Sequence, residues 1–358
     1  MRGFFCSKKA IIFSGLIIGI GASLLQKLGN PKNMGICVAC MERDMAGALG
    51  LHRATVVQYM RPEIIGFVLG AFLAALIFKE YKSRGGSAPI ARFILGFFAM
   101  VGSLVFLGCP WRALLRLAGG DGNAIIGLTG LIVGIWIGIY FIKSGYSLGR
   151  SHKVHNCAGL LFPLAMVAFL LLLLFRPKLP SGALFFSQKG PGAEHAPLFL
   201  SLGVALFIGF LAQRTRFCTM GAFRDFLLIR DSHLLSGVIA LTAGAFITNV
   251  LFRQFKPGFI NQPIAHTNVL WNFTSMVLTG LAFAMAGGCP GRQLFMSGEG
   301  DNDAAIFVLG MIIGAAFAHN FAMASSPKGP GLWGPASVIV GLIVCVGMGF
   351  IMREYKYE

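Results

Sequence analysis

Ten long apolar runs dominate the sequence and limit the folds that are open to it. About twenty apolar residues are enough for a helix to cross the hydrocarbon core of a bilayer. Hydrophobic residues make up 56% of the chain and charged residues 12%, whereas a typical soluble domain is about 25% charged. We therefore predict an all-α polytopic integral membrane protein. The runs lie near residues 10–26, 62–78, 89–107, 123–142, 157–175, 197–212, 234–252, 271–288, 304–322 and 334–352.

The chain is strongly basic, with 30 Lys and Arg against 13 Asp and Glu and a net charge of +17. The basic residues are scattered among the loops, which is typical of the positive-inside distribution of membrane proteins and argues against nucleic-acid binding. Their distribution favours a cytoplasmic N-terminus. Lys8 and Lys9 precede the first run as in a signal peptide, but no clean small-residue cleavage site follows, so we expect this run to be retained.

Two motifs recur in the same order, which indicates an internal duplication. The stretch "CVACMERD" at 37–44 matches "CTMGAFRD" at 218–225, and "CPWR" at 109–112 matches "CPGR" at 289–292. We expect a first membrane repeat at 1–178, a linker at 179–196 and a second repeat at 197–358. Each half holds about five runs, and an odd number predicts that the second half is inverted in the membrane.

Each Cys-Pro motif predicts a short helix that enters the membrane and returns. Proline suits the first turn of a helix, so Cys109 and Cys289 should lie at cap positions, beside unpaired N–H groups and the positive end of the helix dipole. Glycines end these helices after about 12 Å, which is too short to cross a bilayer. Cys37 and Cys218 precede a similar pair. Elements entering from both faces predict an hourglass with a pair of thiols in each half.

The four thiols predict a path for an anion with a soft atom. A helix N-terminus and an arginine attract anions, and a thiol is a polarizable, weak donor that suits sulfur or selenium. In the alternative interpretation the cysteines are small packing residues. The nearby charged residues either attract the anion or pair with one another and pin the short helices. They are Arg43, Arg112, Arg224, Arg292, Asp44, Asp121, Asp225 and Asp301.

These cysteine elements, the CPxR motifs and the repeat resemble the YeeE/YedE family of membrane proteins, which contains thiosulfate transporters and a branch associated with selenium metabolism. The resemblance implies a re-entrant hourglass fold and transport along cysteines by transient hydrogen bonds, carried here by Cys37, Cys109, Cys218 and Cys289. Residues 29–66 look like the selenium branch. We expect uptake of a selenium- or sulfur-containing anion across a bacterial inner membrane, with thiosulfate-specific uptake as the alternative. A cytoplasmic sulfur- or selenium-handling protein could receive the cargo.

Cys40 leaves a second alternative open. Cys37 and Cys40 form a C-x-x-C motif, which can serve a membrane thiol–disulfide oxidoreductase, although Gly221 replaces Cys40 in the second half. Cys40 is otherwise a branch-specific substrate contact or a small residue. We expect a transporter rather than an enzyme.

The remaining polar residues predict no cofactor or metal. The His152, His155 and Cys157 group favours a solvated loop, because a zinc site normally needs four ligands. Cys345 is expected in the core of the last run, and neither Cys6 nor His319 is assigned a role.

Overall fold

The computed structural model describes residue 5, residues 7–175 and residues 184–353, and the regular secondary structure of this part of the chain is almost entirely helical. Four helices are short, and each begins one residue after a cysteine: α2 Val38–Ala48, α5 Pro110–Ala118, α9 Thr219–Ile229 and α12 Pro290–Gly298. Ten are longer: α1 Lys8–Lys27, α3 Pro62–Ile77, α4 Pro89–Phe106, α6 Asn123–Lys143, α7 Asn156–Phe175, α8 Leu198–Thr215, α10 His233–Leu251, α11 Val269–Ala286, α13 Asn302–Asn320 and α14 Gly334–Ile351.

The longer helices coincide with the predicted apolar runs. Among the described residues, nine helical segments are long and apolar enough to cross a membrane, and α3 is apolar but has 16 residues. The predicted all-α polytopic class is therefore confirmed. Two short strands, β1 Arg84–Gly85 and β2 His152–Lys153, pair antiparallel between loops. His152 is thus held in a loop pairing, and Cys157 is exposed at the start of α7.

The helices follow the same order of long and short elements in both halves of the chain. Contacts between the halves also come in exchanged pairs: α1 packs on α10 as α8 packs on α3, and α6 packs on α11 as α13 packs on α4. Two halves related by a twofold axis would make such contacts. Entry of the two halves from opposite membrane faces stays a prediction, as do the repeat boundaries.

The described part of the linker, residues 184–196, lies against the first half of the chain. The Phe185 N–H donates to the Ala48 carbonyl at 2.9 Å, and the Ser187 N–H donates to the Gln58 carbonyl at 2.8 Å. The linker therefore covers the far end of α2. Residues 179–183 of the predicted linker lie outside the described residues.

Glycines set the spacing of the four main helix pairs. Each pair contains two glycines four residues apart, and a Cβ added at any of them would meet the facing helix. In lipid, such small residues let backbones approach closely, so that packing and interhelical contacts replace a hydrophobic driving force. The close approach brings the two halves together around the short helices. The glycines are Gly15 and Gly19 in α1, Gly66 and Gly70 in α3, Gly130 and Gly134 in α6, and Gly310 and Gly314 in α13.

We predict that Gly134→Leu destabilises the protein by about 3 kcal/mol, because a side chain there meets the Val277 carbonyl and the backbone of α11 must move. Thermal unfolding in detergent measures the change. Gly203→Leu in α8 is the matched control, since an added Cβ there meets nothing within 4 Å. Equal melting temperatures for the two variants would contradict the packing assigned to α6 and α11.

Candidate functional site

Four cysteines occupy the N-cap positions of the four short helices. The Cys37 Sγ accepts a hydrogen bond from the Cys40 N–H at 3.4 Å, and the Cys218 Sγ accepts one from the Gly221 N–H at 3.2 Å. Cys109 and Cys289 precede the prolines and make no side-chain cap bond. The duplication thus places one capping thiol and one thiol without a cap bond in each half, all beside the positive ends of helix dipoles.

The thiols of each half lie together. The Cys37 and Cys109 Sγ atoms are 3.7 Å apart, and both side chains are fully buried. In the second half the Cys289 N–H donates to the Cys218 Sγ at 3.5 Å, and both residues are again buried. The structure therefore brings the four candidate path residues together as two pairs at converging helix N-termini.

An aromatic cluster includes residues next to Cys109 and Cys218 in the chain. Trp111 follows Cys109 by two residues, and its ring centroid is 5.8 Å from that of Phe67 and 6.1 Å from those of Phe217 and Phe295. Phe217 directly precedes Cys218 in the chain. The short helices of the two halves thus share an apolar cluster of rings.

Arg112 lies beside the first pair without a carboxylate partner among the described residues. Its guanidinium donates to the carbonyls of Asn33 at 3.2 Å, Ile264 at 3.1 Å and Leu107, and to the Cys40 Sγ at 3.4 Å. The side chain is fully buried. Carbonyl groups satisfy its N–H donors but leave its positive charge uncompensated, which makes it the strongest local attraction for an anion.

Two of the pairings considered from the sequence are wrong. Asp121 does not neutralise Arg112; it pairs with Arg116 at 2.7 Å and accepts a hydrogen bond from the Asn123 N–H at 2.9 Å. Asp301 does not neutralise Arg292; it pairs with Arg84 at 2.7 Å. Asp301 also accepts from the Ala304 N–H at 3.1 Å and so caps α13. Both acids fix the start of the following long helix, because side-chain oxygens there satisfy unpaired N–H groups.

The second half carries a partly exposed ionic cluster in place of a lone cation. Arg292 pairs with Glu299 at 3.1 Å, and Glu299 also pairs with Arg216 at 2.8 Å. Arg214 and Arg216 both pair with Glu80. Burial raises the pKa of Glu80, but hydrogen bonds from Arg214 and Gln213 outweigh it and lower the pKa overall. The charges of the cluster therefore largely compensate one another.

The Arg-Asp pairs of α2 and α9 differ in burial. Arg43 and Asp44 pair at 2.6 Å with 3% and 0% of their side chains exposed, whereas Arg224 and Asp225 pair at 2.8 Å with 32% and 21% exposed. Asp44 also pairs with Arg61 at 2.7 Å, and Arg61 donates to two carbonyls of the linker.

Several polar residues of the site escaped sequence analysis. Arg61 lies 17 residues beyond Asp44 in the chain, and Arg116 lies within the helix that follows Cys109. Glu42 is fully buried in α2, and neither carboxyl oxygen has a hydrogen-bond partner among the described residues. An isolated buried carboxylate costs so much that this group should be protonated. The sequence offered one sign of a special role for Glu42: this acid lies two residues after Cys40, and Phe223 replaces it in the second half.

Other residues singled out from the sequence lie elsewhere. Cys345 is fully buried in α14. The His319 ring stacks on that of His52 with the centroids 4.6 Å apart. Cys6 lies outside the described residues.

Comparisons with known proteins bear on the second half most directly. Residues 214–347 match the family model described as Sulphur transport, a region that includes Cys218 and Cys289. The thiosulfate transporter TsuA of Spirochaeta thermophila is 31% identical over 103 residues. Both matches support the predicted resemblance to the YeeE/YedE family. The aligned region covers 29% of this chain and 31% of TsuA, so it spans about a third of that relative.

We predict that Asp44→Asn destabilises the protein by about 3–5 kcal/mol, because it leaves two buried guanidinium groups without a countercharge. Thermal unfolding of the purified protein measures the effect. Asp225→Asn, at the repeat-related position, should cost at most about 1 kcal/mol because that pair is partly solvated. Similar losses for both variants would show that burial does not distinguish the two pairs.

Proposed function

We propose that this protein carries a small sulfur- or selenium-containing anion across the bacterial inner membrane along its buried thiols. The observation that carries the proposal is the buried, uncompensated Arg112 beside Cys37, Cys40 and Cys109. A fixed positive charge next to two helix N-termini lowers the cost of bringing an anion into apolar surroundings.

The thiols favour an anion with a soft terminal atom. Carboxylates would repel such a solute, and lysines or unpaired arginines along the whole path would hold it too strongly. A thiol donates weakly and is polarizable, so it can form a hydrogen bond to sulfur or selenium that breaks easily. Two thiol pairs in series therefore suit stepwise movement without covalent bonds. A cytoplasmic sulfur- or selenium-handling protein would fit as the recipient.

The comparisons support a sulfur-containing anion. The matched family model is described as Sulphur transport, and the aligned relative is a thiosulfate transporter. Selenium uptake rests on the resemblance of residues 29–66 to the selenium branch. We propose that both chalcogens are accepted, because their terminal atoms share charge and softness.

The thiol–disulfide oxidoreductase is disfavoured by the burial of its motif. Cys37 and Cys40 are both fully buried, so a protein or quinone partner has no open approach to either sulfur atom. Reactive cysteines of such enzymes are partly exposed. Transport is therefore the better explanation of the thiols.

We predict that Cys109→Ser and Cys289→Ser each reduce uptake at least about tenfold, which corresponds to about 1.4 kcal/mol, because serine keeps the size but loses the softness of the thiol. Uptake of ³⁵S-thiosulfate and of ⁷⁵Se-selenosulfate, which carries a terminal selenium atom, by cells expressing the protein measures the effect. Cys157→Ser is the control, since Cys157 is exposed outside the path. Normal uptake of both solutes by a well-inserted double variant would remove the thiols from the mechanism.

Cys40→Ser separates transport from redox chemistry. We expect uptake to stay within about threefold of the parent, because a serine hydroxyl can accept the hydrogen bond that Arg112 gives the Cys40 Sγ. Mass spectrometry after alkylation should show both parent thiols free during turnover. Loss of uptake, together with a Cys37–Cys40 disulfide that forms in the parent only under turnover, would instead support the oxidoreductase.

A further inference from the structure

Arg112 and Arg292 hold equivalent positions in the two halves but meet different partners. Each side chain folds back over the glycine that precedes its Cys-Pro pair. A Cβ added at Gly108 would meet the Arg112 side chain at 2.8 Å, and a Cβ at Gly288 would meet that of Arg292 at 3.3 Å. The guanidinium groups then diverge. Arg112 has no carboxylate partner among the described residues, whereas Arg292 donates to the Glu299 carboxylate at 3.1 Å.

Glu299 stands where the first half has a glycine. Cys109 and Cys289 are 180 residues apart in the chain, and so are Gly119 and Glu299. Equivalent backbone contacts support this alignment: the Glu299 carbonyl accepts from the Lys82 N–H at 3.0 Å, and the Gly119 carbonyl accepts from the Lys256 N–H at 2.9 Å. The carboxylate is therefore an addition of the second half and not part of the shared scaffold.

In the first half, the position of this carboxylate opens into a cavity of about 230 Å³. Gly119 and Asn33 line the cavity, and the Asn33 carbonyl accepts from Arg112 at 3.2 Å. The lining also carries three cations and no acid; the cations are Lys32, Arg253 and Lys256. Where the protein supplies no carboxylate, it thus leaves space and positive charge that suit a small external anion.

Arg216 holds the Glu299 carboxylate more firmly than Arg292 does. The Arg216 Nη1 donates to both carboxylate oxygens at 2.8 Å, whereas Arg292 reaches one of them at 3.1 Å. Arg84 lies 3.9 Å from Glu299 and donates instead to Asp301 at 2.7 Å. An anion that replaces Glu299 at Arg292 would therefore leave the carboxylate bound to Arg216. Both arginines stay compensated, so the exchange avoids the cost of an unpaired buried charge.

We propose that the Glu299 carboxylate is an internal substitute for the transported anion at Arg292. The anion displaces the carboxylate on reaching the second thiol pair, and the return of the carboxylate releases the anion. Because Glu299 is tethered beside Arg292, it competes at a high effective concentration. This inference rests on the proposed transport of a sulfur or selenium oxyanion and adds a residue that sets how quickly the anion leaves.

The first test compares Glu299→Gln with Glu80→Gln. Glutamine at 299 leaves Arg292 without a countercharge, so we expect the purified protein to bind thiosulfate about tenfold more tightly, the factor for one added hydrogen bond to a charged group. Maximal uptake should fall at least about threefold, because tighter binding slows release. Glu80 pairs with Arg214 and Arg216 at the edge of the same cluster, so Glu80→Gln should leave both quantities within about twofold of the parent.

A double variant shows whether the tighter binding depends on Arg292. With Glu299→Gln and Arg292→Gln combined, we expect thiosulfate to bind no more tightly than to the parent, because the freed cation is gone. Melting temperatures without thiosulfate accompany each measurement. If Glu299 only holds the ionic cluster together, Glu299→Gln lowers the melting temperature and uptake without tighter binding, which overturns the proposal. Equal tightening in the single and double variants overturns it as well.

A measurement on the parent protein needs no variant at position 299. Infrared difference spectra recorded on adding saturating thiosulfate should show a change in a carboxylate stretching band as Glu299 leaves Arg292. Arg292→Gln should lack this change. A parent spectrum without a carboxylate change overturns the substitution, while parent uptake still supports transport. Absence of thiosulfate and selenosulfate uptake by the parent would instead overturn the proposed function itself.

Discussion

The structure depends on the requirement that backbone polar groups in a membrane be satisfied within the protein. A short helix that ends inside the bilayer leaves unpaired N–H and C=O groups, which hydrocarbon cannot satisfy. Here the paired long helices, packed closely through glycines, enclose all of α2 and most of α5 and α12. Because the helix ends are buried in this way, water does not screen the positive ends of their dipoles, which can then act on an anion.

The two halves of the chain share a fold but surround their thiols with different charges. The first half buries its charges: Arg112 donates to carbonyls and to the Cys40 Sγ but pairs with no carboxylate among the described residues, and Asp44 is held between two arginines beneath the linker. The second half places Arg292 in a compensated cluster that includes the half-exposed Arg216. Charges near water are inexpensive and screened, whereas a deep lone charge acts strongly over a short distance. The two halves would therefore attract an anion to different degrees.

Sequence reasoning recovered what depends on local pattern and missed what depends on distant partners. Hydrophobicity located each long helix within a few residues, and proline placed Cys109 and Cys289 at helix caps because its effect is confined to the next turn. The ion pairs failed where the nearest charge in the motif was not the nearest in space. Asp121 lies five residues from Arg116 and returns to it through a glycine turn, while Asp301 meets Arg84, 217 residues away. The spacing of residues in a single sequence does not show which charged side chains meet in the folded protein.

The weakness of thiols as donors explains why a path of this kind would use them. Arg112 is a buried cation without a countercharge among the described residues, and the anion of the proposed function would relieve the cost of burying it. A second lone cation nearby would hold the anion in place, and conduction requires that binding also be weak enough for release. The equivalent Arg292 is compensated by Glu299. Beyond Arg112, the proposed path would offer an anion thiols and helix ends, which attract it weakly and would therefore permit its release.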